Sequence, residues 1–192
     1  MKRRPPLSFW ILTLCSLALI LGLTGPLQAA DAFSIKDVRT RVDEGVVTLD
    51  ADIEFRFSPE ALEALDNGVP LTIVLHFQVR DADAWIWEDS VADLRLRYAV
   101  RYKPLSERYE VYRLPGERGR SFVSREAAIA ALGELRGLQI VDQKRLDPES
   151  KYVLHMKAEL DLEELPLPLR PIAYLRPAWK LGTSWTKWPL TR

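Results

Sequence analysis

Four long stretches of this chain alternate apolar and polar side chains with a period of two, which limits it to strands with one buried face. In Gly45–Phe57 the residues Val47, Leu49, Ala51, Ile53, Phe55 and Phe57 share one face. Thr48, Asp50, Asp52, Glu54 and Arg56 share the other. Leu71–Val79 repeats the pattern, and Val91–Lys103 sets Leu94, Leu96, Tyr98, Val100 and Tyr102 against Asp93, Arg95, Arg97, Arg101 and Lys103. Tyr152–Leu162 is the fourth. Strands with one polar face belong to antiparallel sheets, since parallel sheets are covered on both sides. Phe33–Val42, Trp85–Glu88, Glu107–Leu114 and Leu138–Val141 are shorter candidates. The parity change between Ile35 and Val38 places a bulge near Lys36-Asp37.

Two helices are expected between the strands. Ser58 is a good N-cap, Pro59 suits the first helical position and Asn67-Gly68 supplies the stop. Phe57 and Leu62 have the spacing of a hydrophobic staple. The second helix runs from Ser124 to Arg136 with Ala128, Ile129, Leu132 and Leu135 along one stripe. The prediction is a mainly β chain: an antiparallel, immunoglobulin-like two-layer sandwich with two short helices. At the end, Leu165-Pro166-Leu167-Pro168-Leu169-Arg170-Pro171 lacks donors for a central strand, so residues 165–192 are expected to form an extended strap.

The first thirty residues fit a different purpose. Lys2, Arg3 and Arg4 precede the largely apolar run Leu7–Leu23, followed by Pro26 and the small residues Ala29, Ala30 and Ala32. That order is a secretory signal peptide over residues 1–30, with an uncleaved anchor as the rival reading. A lipid anchor does not fit, because no small residue precedes Cys15. The expected location is the periplasm, with one domain over residues 31–192. Cleavage would remove Cys15, the only cysteine, so disulfides and thiolate metal sites are excluded from the mature chain. It would also remove three of 27 basic residues against 27 acidic ones, which offers no case for nucleic acid. About 160 residues suffice for one core without disulfides.

Candidate chemistry is sparse. His76 and His155 lie on polar strand faces without the local ligand spacing of a zinc site, so no metal and no cofactor is expected. Asp50 and Asp52 repeat at ~6.6–6.8 Å along a strand, within the ~5–9.5 Å that separates paired carboxylates in glycosidases. A glycan hydrolase using them is the alternative reading; a solvated strand face gives the same spacing. The basic row Arg95, Arg97, Arg101 and Lys103 is expected to offset the acidic row by cross-strand pairs. There is no nucleophile elbow, P-loop or dinucleotide fingerprint, so no enzyme is indicated.

Tryptophan is the better signal, because it is enriched where proteins bury a partner. Trp85, Trp87, Trp179, Trp185 and Trp188, with Leu167, Pro168 and Leu169, form the candidate interaction surface. At least one of the last three tryptophans is expected to line an apolar groove with that Leu-Pro-Leu run. The alternative is that the rings pack over the sandwich ends. The Ser58–Leu65 helix start, Asn67-Gly68-Val69-Pro70-Leu71, Trp85-Ile86-Trp87, Ser124–Ala128 and the proline-leucine run with its downstream tryptophans together resemble an envelope family of proteobacteria. This is domain of unknown function 4390. The resemblance implies no catalytic residues. Its genes often stand near those of a sensor histidine kinase pair, which implies an accessory role in envelope signalling. The functional expectation is a non-catalytic binding or protein-interaction module with an envelope protein as partner, attached to a sensor or transport system.

Overall fold

The structure is a computed structural model and describes residues 32–83, 90–116 and 118–191. The expected signal peptide, the strand Trp85–Glu88 and the rings of Trp85 and Trp87 lie outside the described residues. Strand β1 (Phe33–Asp43) turns back into β2 (Val46–Phe55), and helix α1 (Pro59–Asp66) leads into β3 (Leu71–Asp81). Then β4 (Ala92–Lys103), β5 (Arg108–Arg113) and β6 (Gly119–Phe122) follow as a meander. Helix α2 (Arg125–Gly133) runs directly into β7 (Glu134–Asp142), after which come β8 (Tyr152–Leu160), α3 (Arg170–Leu175) and β9 (Thr186–Pro189).

Every strand pairing among the described residues is antiparallel, as the half-polar faces require. One sheet has the order β1-β2-β7 and the other β6-β5-β4-β3-β8-β9. Their inward faces share one core, with Phe33, Leu49 and Val47 from the small sheet against Ile73, Phe77, Leu154 and Met156 from the large one. This is a two-layer β-sandwich. Its strands among the described residues divide six and three, against four and three in a constant-type immunoglobulin domain.

Local chemistry accounts for the elements. The bulge falls where the parity change put it: the β1–β2 register slips between Lys36 and Arg39, and Asp37 takes φ 44°. Ser58 caps α1 by accepting from the Ala61 N–H at 3.2 Å, and Gly68 at φ 84° ends the helix. Ser124 caps α2 in the same way through Ala127. Helix α2 stops earlier than its apolar stripe predicts, because Glu134 is already paired to Asp52 as the first residue of β7. At that junction Gly133 presses on β2, where a methyl group would stand 2.0 Å from the Ile53 carbonyl oxygen.

The C-terminal run is not the extended strap expected. Leu162–Glu164 is a 3-10 turn, the Leu169 N–H donates to the Pro166 carbonyl, and Pro171 sits in the first turn of α3. A proline in a first helical turn sacrifices no bond, so the missing donors that exclude a strand interior still permit this helix. Later residues close one seam of the sandwich. The Phe33 N–H donates to the Gly182 carbonyl, and the Thr191 N–H to Thr40 Oγ1 at 2.8 Å.

Candidate functional site

An open apolar concavity lies where the end of β2 meets α1 and α2. It is a groove of about 620 Å³, lined by Phe57 and Leu62 on one side and Ile129 and Ala130 on the other. The Phe57 ring is fixed against Phe33 at 5.3 Å between centroids and stacks on Phe55 at 6.1 Å. Gly133 lets α2 close down on β2 and so defines the groove's far end. The rim is charged. Glu54 accepts from Lys36 at 2.7 Å and from Arg56 at 2.8 Å, which holds its carboxyl down at about 2. Arg125 reaches across to Asp66 at 2.5 Å, joining the N-terminus of α2 to the end of α1. Asp66 also accepts the Tyr109 hydroxyl at 2.8 Å; burial first, then this bond, pushes that phenol up to about 12.

The acidic row on β2 is fully engaged. Asp50 accepts the Gly137 N–H at 2.6 Å and pairs with Arg41, and these contacts hold its carboxyl below the usual range. Asp52 pairs with Arg136 at 2.5 Å. A glycosidase acid needs a carboxyl that is protonated at working pH, and Asp50 is pushed the other way. The basic row does not answer the acidic one. It projects from β4 on the outer face of the other sheet, where Arg97 pairs with Glu164 at 2.5 Å and Arg101 with Glu110 at 3.2 Å. The expected cross-strand pairing fails because β2 and β4 belong to different layers.

Strands β3 and β8 are neighbours, and their register sets His76 opposite Lys157 and His155 opposite Gln78, so the two imidazoles are diagonal. The His76 ring contacts Asp93 through Nε2 at 2.9 Å. The Asp93 carboxyl is lowered: burial alone would raise it, but hydrogen bonds from Gln78 and His76 outweigh that. Burial, with Lys187 and Arg80 nearby, lowers His155. Among the described residues no three His, Cys, Asp or Glu side chains stand together as metal ligands.

The tryptophans divide. Trp179 is in the core at 5% exposure, and Trp188 packs partly against it while donating Nε1–H to Thr186 at 3.0 Å. Among the described tryptophans Trp185 alone stays well exposed, and its ring meets His76 at 4.8 Å and His155 at 6.5 Å on the outer face of the large sheet. The three rings thus do not all serve the core. Leu167 and Pro168 are exposed and Leu169 is half-buried, beside α3. The sequence pattern assigns Phe57, Leu62 and Ile129 each to helix packing and gives no sign that they share a groove. Their convergence depends on α1 and α2 both meeting the same end of β2.

A two-layer antiparallel sandwich with a helix-lined apolar groove is the class of protein these elements define. The family model described as domain of unknown function (DUF4390) matches residues 30–189, and the chain belongs to that family. Neither the curated proteins nor the solved structures contain a match to it.

Proposed function

We propose that this protein is a non-catalytic binding module of the bacterial envelope, working in the periplasm and taking a segment of a protein partner in the α1–α2 groove. One observation carries the reading: an apolar floor of Phe57, Leu62, Ile129 and Ala130 inside a charged rim. Large apolar pockets with a few oriented polar groups are the usual places for ligands. The rim holds Asp37, Asp52, Glu54, Glu126 and Glu134 against Lys36, Arg56 and Arg125, so a partner segment with large apolar residues and basic flanks is complementary. A periplasmic place rests on the export-type order of residues 1–30.

Ile129→Arg tests the reading, because the side chain is only partly buried and its replacement fills the groove with charge. Chemical cross-linking in intact envelopes should recover a partner with the wild type and lose it with I129R, at unchanged melting temperature. A peptide carrying the cross-linked segment should then compete for binding. Full cross-linking by folded I129R would overturn the groove. A reaction abolished by Asp50→Asn in a folded protein would replace the whole reading with the hydrolase.

A further inference from the structure

Seven large apolar side chains are exposed among the described residues, and four of them, Leu167, Ile172, Tyr174 and Leu175, come from nine consecutive positions. Leu167 is 73% exposed and Leu175 is 82% exposed. They are not on a loose loop. Leu165, Ala173 and Trp179 are buried and pin the segment from within. The Ala173 and Arg176 N–H groups close helical bonds to Leu169 and Ile172. The element is therefore a hydrogen-bonded segment with exposed apolar side chains, and such patches on a protein surface mark interaction sites.

Charge selects the occupant. Arg170, Arg176 and Lys180 flank the exposed side chains. The acids of the preceding turn are already engaged. Glu163 accepts from the Tyr174 hydroxyl and faces Arg170 at 3.9 Å, and Glu164 pairs with Arg97. Arg176 and Lys180 have no carboxylate partner among the described residues. Short apolar segments with interspersed cations and a tyrosine fit the boundary between headgroups and acyl chains. We propose that α3 and the turn before it dock the protein on an anionic phospholipid bilayer. Leu167, Ile172 and Leu175 enter the acyl boundary, while Arg176 and Lys180 meet headgroup phosphates. This is independent of the groove, which α1 and α2 form.

The test uses the full chain with Cys15→Ser, so that one introduced cysteine carries an environment-sensitive dye. Leu175→Cys places the dye on the segment, and Leu105→Cys places it on the exposed β4–β5 turn as a control. This readout reports the segment itself, whether or not residues 1–30 also hold the chain to vesicles. On vesicles of brominated phosphatidylglycerol the dye at 175 should be quenched and the dye at 105 should not. Arg176→Glu with Lys180→Glu should raise the lipid concentration for half-quenching roughly tenfold or more, and brominated phosphatidylcholine should quench far less. Thermal melting of each variant confirms the fold. A dye at 175 that stays in water on anionic vesicles, or is quenched equally by both lipids, overturns the proposal.

Discussion

The carboxylate of Asp50 accepts the main-chain N–H of Gly137 at 2.6 Å, across the β2–β7 pair and at an irregular point of its register. Gly137 sits there at φ 61°, and its amide has left the ladder. The acid that sequence spacing offers as a catalyst therefore patches a sheet irregularity. Asp50→Ala strands that amide and removes the partner of Arg41, and should cost about 1–3 kcal/mol. Asp50→Asn keeps an acceptor and should cost less. Urea denaturation of the two variants decides it; equal midpoints for D50A and wild type would leave Asp50 a bystander.

Acid should weaken the pairing around β2 in the small sheet. Glu54 is held at about 2, against an ordinary value of 4.5, by Arg56 and Lys36. A depressed carboxyl lends stability that is complete above its unfolded value and fades as pH falls from about 4.5 toward 2. Asp50 shifts in the same direction, chiefly through the Gly137 amide. Glu54→Gln should flatten the acid limb of a melting-temperature profile, and 1 M salt should shrink the difference, since these charges are exposed. An unchanged acid limb in E54Q would contradict the assignment.

Gly133 is the tightest joint of the groove. Gly133→Ala pushes a methyl group onto the Ile53 carbonyl, and overpacking of this sort costs about 1–3 kcal/mol. Gly45, at φ 81° in open space, is a useful contrast. Gly45→Ala should cost only backbone strain, roughly 1–2 kcal/mol, and leave groove binding intact. Groove binding by G133A should weaken even at temperatures where the variant is folded.

Trp179 and Trp185 should separate in stability measurements. Trp179→Ala empties a core position and should cost ~3–5 kcal/mol. Trp185→Ala removes a half-exposed ring contact with His76 and should cost about 1 kcal/mol. Comparable losses in both variants would return Trp185 to the core.

The strands were legible because one-sided burial writes itself into the parity of Leu71–Val79 or Tyr152–Leu160, and even the slip at Lys36-Asp37 appeared as a parity change. The helix ends at Ser58 and Ser124 were legible because capping is local chemistry. Strands β6 and β9 were not: each has four residues and too little alternation to register. Helix α3 was hidden because a proline-rich run reads as a set of missing donors, and only the observed turn shows that Pro171 occupies a position where no donor is needed. The fate of the charged rows was beyond sequence altogether. Nothing local to Asp52 or Arg101 says which layer either strand joins, so Arg136 and Glu110 could not be named as their partners.

The bond between Thr191 and Thr40 spans 151 positions of chain, and that distance has a consequence in time. The β1–β2 hairpin can form early from neighbouring residues, yet its seam stays open until residues 182–191 arrive. Contacts so far apart must be reached through a large loss of loop entropy, which slows folding. A nascent chain would therefore remain unsealed until Gly182 and Thr191 are both free. Removing Leu190 and Thr191 would leave the Thr40 hydroxyl without its distant amide and the core without the buried Leu190.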